Sequence, residues 1–136
     1  MAETFKFELV SPERVLVSAD VSEVIVPGSE GEFTVLPRHA PMISTLRPGI
    51  VRTPGLDGKL GEIYVRSAFA DVTPDRLTIL AEQALPVSEV DRALVAQEIR
   101  VAEDDLAEAE NAERKRRAQE TLDQLRSLDK VLNLAG

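Results

Sequence analysis

The chain holds one histidine, His39, in the segment Leu36-Pro37-Arg38-His39-Ala40-Pro41, with Glu30 and Glu32 a short way upstream. A histidine beside a carboxylate can serve as a general base, and Ser29 or Ser44 would then be the nucleophile. The spacing does not support that chemistry, because the chain has no nucleophile elbow and no second histidine. The competing reading is a stiff, proline-bracketed loop that displays a polar tip or a structurally hydrogen-bonded imidazole. Metal binding fares no better, since transition-metal sites draw on several His or Cys ligands and this chain has one His and no Cys. Glu103-Asp104-Asp105 are adjacent on an expected helix, so their carboxylates diverge around it and form a solvated face. Ser29-Glu30-Gly31-Glu32 lacks the glycines and the Lys-Ser/Thr pair of a phosphate-cradling loop and reads as a turn. The run Arg114-Lys115-Arg116-Arg117 is the strongest charge feature. Four successive cations wrap around a helix, so some can pair with neighbouring acids while others face outward, toward an acidic protein surface.

These residues sit in a chain of 136 residues with 43% hydrophobic composition, enough for one modest core. The formal charge of -8 argues against nucleic acid as a ligand, because phosphate recognition depends on a positive field. Without cysteine there are no disulfides or thiolate metal sites, which suits a reducing compartment. No apolar stretch of about 18 residues and no signal-peptide pattern occurs, so membrane association is expected only through partners.

All the prolines lie before Ser88, as do all the glycines except Gly136, and this divides the chain into two physically different segments. Residues 1–86 are expected to form β structure. Phe5, Phe7 and Leu9 alternate with Lys6, Glu8 and Val10, as in a strand with one face on a core and one in water. Val15 and Val17 repeat the pattern, and further strands are expected at Val24–Val26, Glu32–Val35, Met42–Leu46, Ile50–Thr53, Gly61–Val65, Phe69–Val72 and Leu77–Leu80. Strands this short, with turns every eight to twelve residues, predict an antiparallel β-sandwich or flattened barrel. Asp57-Gly58 reads as a hairpin turn within the loop Leu56–Gly61, and Pro74-Asp75 as another.

Residues 87–136 are expected to form an antiparallel helical hairpin, giving an α+β chain in two segments. Ser88 is the expected N-cap, with Glu89 and Asp91 in the first turn. Val95, Ile99, Ala102, Leu106 and Ala109 form one apolar stripe; Ala118, Leu122, Leu125, Leu128 and Leu132 form a second. Between them, Ala109–Arg117 lacks a core-sized side chain, which places a reversal near Asn111. Charge agrees: Ser88–Glu110 carries eight acidic and two basic residues, and Asn111–Gly136 four acidic and six basic. An acidic helix can thus lie beside a basic one. The i,i+4 pairs Glu110–Arg114 and Glu113–Arg117 would favour continuous helix through the turn, so conversion between a hairpin and an extended form is expected to cost little.

In order and wording, several segments resemble the epsilon-subunit family of the bacterial F-type ATP synthase. They are Phe7-Glu8-Leu9-Val10-Ser11-Pro12-Glu13, Val26-Pro27-Gly28-Ser29-Glu30-Gly31-Glu32-Phe33, Leu36-Pro37-Arg38-His39-Ala40-Pro41-Met42-Ile43 and Leu46-Arg47-Pro48-Gly49. Leu77-Thr78-Ile79-Leu80-Ala81-Glu82 and the helix opening Val90-Asp91-Arg92-Ala93 complete the likeness, which covers about residues 3–110 and is compositional beyond.

The resemblance implies a non-catalytic rotor part. Its sandwich would seat on the ring of c subunits and against the gamma shaft, and its helices would face gamma and the alpha/beta catalytic head. Ser29, Glu30, Gly31 and Glu32, with His39, Ala40, Pro41 and Met42, match the family's ring and shaft contacts. The outward cations of Arg114, Lys115, Arg116 and Arg117, with Arg126, would suit an inhibitory contact on an acidic head surface. The resemblance further implies a peripheral place on the cytoplasmic face of a bacterial plasma membrane; the start at Met1 without a transit peptide is read the same way.

The chain departs from the family pattern in several places. Thr34 and Arg38 stand where members often have Gly, and Ser67-Ala68 where they have a Gly pair. Leu94 stands where members that bind ATP through Ile-Asp-x-x-Arg-Ala have the Arg, so no cofactor is expected. The distal helix is also shorter than in strongly inhibitory members. The alternative reading of the whole chain is a general adaptor whose hairpin docks unrelated proteins.

Overall fold

The computed structural model describes residues 3–135; Met1, Ala2 and Gly136, which bound the expected segments, lie outside the described residues. The chain divides into two compact units with the boundary between Glu89 and Val90.

The first unit contains β1 (Phe5–Val10), β2 (Val15–Val21), β3 (Val24–Gly28), β4 (Gly31–Val35), β5 (Met42–Leu46), β6 (Gly49–Arg52), β7 (Glu62–Thr73) and β8 (Arg76–Pro86). They hydrogen-bond in the order β2-β1-β8-β7-β5-β3-β4, with β6 pairing β3 and β7. β5 and β6 behave as one strand broken at Arg47-Pro48, both lying between β3 and β7. The pairs are antiparallel as expected from the short turns, except β1 with β8, which run parallel in the register Phe7↔Leu77. A parallel pair needs a long crossover, and here almost the whole sandwich intervenes.

The inward phase of the strands makes the core. Phe7, Leu9, Val17, Val24, Val26, Val35, Val51, Ile63, Val65, Val72, Leu77 and Ile79 are all fully enclosed. At Ser67 that phase changes. Ile63 and Val65 point inward before it, whereas Ala70 and Val72 do so after it. β8 changes phase at the facing rung, with Ile79 and Ala81 inward, Glu82 and Gln83 both exposed, and Ala84 again on the core. The β7–β8 ladder passes from Arg66↔Gln83 to Ala68↔Ala81 without losing register. Ser67 takes φ 53° there, a left-handed conformation that suits glycine.

This double phase change explains two corrections to the expected elements. The segments read as separate strands at Gly61–Val65 and Phe69–Val72 are one twelve-residue strand, β7. The strand expected to stop at Leu80 continues to Pro86. Asp57-Gly58 is not a two-residue hairpin turn: Asp57 precedes a 3-10 turn, Gly58–Gly61, inside a wide loop closed by Thr53 N donating to Gly61 O at 2.9 Å. Pro74-Asp75 does form a tight turn, with Thr73 paired to Arg76.

The second unit is a pair of helices, α1 (Arg92–Glu108) and α2 (Ala112–Ala135), joined by Ala109–Asn111. The N-cap of α1 is Asp91, not Ser88. Its Oδ1 accepts from Ala93 N at 2.9 Å and Leu94 N at 3.3 Å, and its negative charge suits the helix N-terminus. Ser88 lies in a separate 3-10 turn, Val87–Glu89. Asn111 caps α2, its Oδ1 accepting from Arg114 N at 2.9 Å. Ala102, Leu122 and Leu125 meet between the helices with Ile99 and Leu106 against them. Val95, Leu128 and Leu132 are also buried, so both expected stripes face inward.

Candidate surface for docking and coupling

Ser29 and Glu30 form the two-residue tip between β3 and β4, closed by the pair Gly28↔Gly31. The base of the turn suits glycine at both positions, for lack of space at Gly28 and for backbone conformation at Gly31. A Cβ on Gly28 would lie 2.6 Å from the Gly31 carbonyl oxygen and 2.9 Å from the Phe33 ring, and Gly31 has φ 142°. Thr45 of β5 anchors the tip: Ser29 N donates to Thr45 O at 3.0 Å, and the two hydroxyls are 2.9 Å apart. Glu32 lies 3.8 Å from Arg52 and Glu30 points to solvent, so the tip presents negative charge on a fixed backbone.

The loop Leu36–Pro41 leads into the other end of β5. It is pinned by Arg38 N donating to Pro74 O at 2.8 Å and His39 N to Leu36 O at 3.1 Å. Arg38 has φ 64°, the conformation glycine would supply. Its guanidinium grips Glu3 with both Nε, at 3.0 Å, and Nη2. The hydrogen bond to Glu3 and then the carboxylate charge raise the Arg38 pKa above its ordinary value. Arg38 and Ser67 thus both hold a glycine-like backbone with other residues in place.

His39 is half-buried and its Nδ1 lies 2.7 Å from the Ala40 carbonyl, so Nδ1 carries the proton and donates. Ser29 bonds Thr45, and the Ser44 hydroxyl donates to the Thr45 carbonyl at 3.0 Å. Neither serine joins His39 in a hydrogen bond. Among the described residues no group of three or more His, Cys, Asp or Glu could hold a metal ion. The structure therefore brings both candidate loops onto β5. Met42 is half-buried against the core at the start of that strand, about 10 Å along it from Thr45 at the usual strand rise.

Between those loops lies a feature the sequence reading missed. Ile43 is 75% exposed, and the pairs Thr45↔Phe69, Phe69↔Leu80 and Leu80↔Val10 run an apolar row across β5, β7, β8 and β1 on the outer face. Val15, opposite Val10, extends it. A groove of about 360 Å³ runs along the row, lined by Val10, Pro12, Phe69, Leu80 and their neighbours. The signal was present as apolar residues in the outward phase of each strand; Val10 sits in the same phase as Lys6 and Glu8.

In the helical unit, Arg114, Lys115, Arg116 and Arg117 are all exposed in the first two turns of α2. Arg117 pairs with Glu113 at 3.0 Å and Arg116 with Glu120 at 3.8 Å, both along the helix. The expected Glu110–Arg114 pair does not form, because Glu110 lies in the turn outside either helix. Arg126 crosses the hairpin to Glu103 at 3.2 Å. Cations at the N-terminal end of α2 oppose its dipole, so this turn of helix is held weakly. Leu94, at the helix opening, is half exposed.

Comparison with known proteins follows the same outline. Residues 4–87 match the beta-sandwich domain of the ATP synthase Delta/Epsilon chain. The ATP synthase epsilon chain of Allorhizobium ampelinum is 43% identical over 132 residues, 97% of this chain and 98% of that one. That of Mesorhizobium japonicum is 46% identical over 129 residues, 95% and 96% of the two chains. Among solved structures, a chain of the Euglena gracilis mitochondrial ATP synthase (OSCP/F1/c-ring) superposes with TM-score 0.78 at 19% identity, covering 95% of this chain and 81% of its own. A chain of the Tetrahymena thermophila mitochondrial central stalk and c-ring gives 0.69 at 11% identity, covering 96% and 98%.

Proposed function

Because the chain belongs to the ATP synthase delta/epsilon-chain family, we propose that it works as a non-catalytic central-stalk subunit of a rotary, proton-translocating ATP synthase. The observation that carries this is the end-to-end match: curated epsilon chains above 40% identity coincide with this chain over nearly the full length of both. Its partners are the ring of c subunits, the gamma shaft and the alpha/beta catalytic head. No helix among the described residues is long and apolar enough to cross a membrane, and in this reading the chain attaches peripherally, through the complex. Its place is the cytoplasmic face of a bacterial plasma membrane.

In this reading the sandwich transmits torque. Ser29–Glu32 and His39–Met42 meet the ring and the shaft, and the hydrogen bonds that fix both loops to β5 and to the Pro74 turn keep them stiff. Preorganised contacts lose little conformational entropy on docking, and a stiff joint passes rotation on without slack. The helices restrain ATP hydrolysis, with Arg114 and Lys115, which enter no ion pair among the described residues, as the leading contacts to an acidic head surface. Arg116, Arg117 and Arg126 would exchange their present carboxylates for those of the head. No nucleotide is bound at the helix opening, where Leu94 replaces the arginine of ATP-binding members.

The test is ATPase assay of reconstituted head complex with the full-length chain and with Ser88–Gly136 deleted. Hydrolysis is expected to rise on deletion while assembly persists. Unchanged hydrolysis would confine the helices to a supporting role, and failure of the full chain to join the complex would overturn the stalk assignment itself.

A further inference from the structure

The hairpin is closed covalently at one end by Ala109–Asn111, and its open end carries a polar tie. Arg92, the first residue of α1, donates Nη2 to the backbone carbonyl of Leu132 at 2.6 Å, across 40 positions of sequence. Leu132 is among the last four residues of α2, whose carbonyls have no N–H of their own helix to accept from. The guanidinium thus satisfies an orphan acceptor and places positive charge at the negative end of the α2 dipole. Charged donors make the shorter and stronger class of hydrogen bond. At the start of its own helix a cation is unfavourably placed, so Arg92 brings α1 no local gain. Its gain lies across the hairpin.

Apolar packing holds the rest of the hairpin, and Val95, Leu128 and Leu132 are buried toward the same open end. The apolar contacts between the helices centre on Ala102, Leu122 and Leu125 with Ile99 and Leu106. The Arg126–Glu103 pair is half exposed on both sides, the class of ion pair that contributes least. Near the turn an open cleft is lined by Asp105, Glu108, Arg114, Arg117 and Thr121 together with Ala102 and Ala118. We infer that Arg92 is the latch of the hairpin's open end: its bond to the Leu132 carbonyl adds to the apolar seam, and its loss lets the helices part more often with no bound ligand required. The functional consequence rests on the proposed inhibitory role of the helices, but the latch is a property of the chain alone and is tested there.

The experiment is amide hydrogen exchange on the full chain, comparing Arg92→Ala, Arg92→Lys and, as a control exposed cation on α1, Arg100→Ala. Helices of this length are marginal once unpaired, so opening exposes the amides of both. Arg92→Ala is expected to speed exchange at Ile99–Leu106 and Leu122–Leu128 on the order of tenfold, the loss of one charge-assisted bond. Arg92→Lys should fall between, Arg100→Ala should match wild type, and β7 should be unaffected. Unchanged exchange in Arg92→Ala overturns the latch, as does acceleration confined to the last turn of α2, which would mean only a frayed end. Equal acceleration in Arg100→Ala also overturns it. If Arg92→Ala loses helix outright, Arg92→Lys decides, and full protection there removes the inference. Faster exchange with unaltered ATP hydrolysis in the head complex would leave the latch standing and reject the inhibitory role of the helices instead.

Discussion

Gly28→Ala and Gly55→Ala are the same chemical change and should have opposite effects. Neither glycine sits in the left-handed region, so alanine meets no backbone objection at either position, and space alone decides. At Gly28 the new methyl would be 2.6 Å from the Gly31 carbonyl oxygen and 2.9 Å from two atoms of the Phe33 ring. The ring can turn. The carbonyl cannot, because it belongs to the residue paired with Gly28 across a two-residue tip. Overpacking of this kind costs roughly 1–3 kcal/mol. For a unit of this size about 4–8 °C of melting temperature is lost per kcal/mol, so the sandwich should melt roughly 4–24 °C lower. At Gly55 a Cβ meets nothing within 4 Å, and the reduced freedom of the unfolded chain should leave stability unchanged or raise it by about 0.4–1 kcal/mol. Thermal unfolding of the full chain, followed by circular dichroism in the β-sheet band, measures both. A Gly28→Ala melt within about 2 °C of wild type, or a Gly55→Ala melt as low as that of Gly28→Ala, would refute the reasoning. A displaced tip would also move Ser29 and Glu30, so on the proposed function weakened binding to the ring and shaft should accompany the lower melt.

Three further substitutions are decided locally. Ser67→Gly relieves a left-handed conformation that costs a non-glycine residue roughly 1–2 kcal/mol, offset by about 0.4–1 kcal/mol of added chain freedom, so urea denaturation should show a small net stabilisation. Thr53→Val removes a buried hydroxyl with no partner, at a residue 1% exposed, and should be neutral or stabilising by about 1 kcal/mol; a loss of that size would indicate a hydrogen bond the geometry does not reveal. Asp91→Ala removes the acceptor of two helix N–H groups and should lower the stability of α1 by about 0.5–2 kcal/mol, seen as an earlier loss of helical dichroism on heating, with Asp91→Asn restoring most of it.

Much of the architecture was legible because strand and helix leave different periods in the sequence. The alternation of Phe5, Phe7 and Leu9 marked β1, and Met42–Leu46 was read with the bounds the structure gives. The helix stripes were equally plain, since leucines at spacings of three and four have one inward direction. The errors fall where a local rule met a tertiary constraint. A period-2 reading cannot follow β7 through Ser67, where the inward phase jumps, so one strand looked like two. Ser88 has the chemistry of an N-cap, but the helix begins where Asp91 can reach two amides. Asp57-Gly58 has the composition of a hairpin turn, yet Gly58 already opens a 3-10 turn, so no strand pairing closes on those two residues. For the candidate surface, the two loops were legible as proline- and glycine-bracketed tips. The apolar row was not, because Phe69, Leu80 and Ile43 belong to different strands and become neighbours only through pairing.

The simultaneous phase change at Ser67 and Glu82 ties the two residues into one heritable unit. Excising Ser67 alone would set Ala68 opposite Glu82 and drive a carboxylate toward the apolar interior. Excising both would leave every remaining partnership intact and merely straighten the ribbon. Deleting Ser67 alone should therefore disturb the sandwich more than deleting Ser67 and Glu82 together.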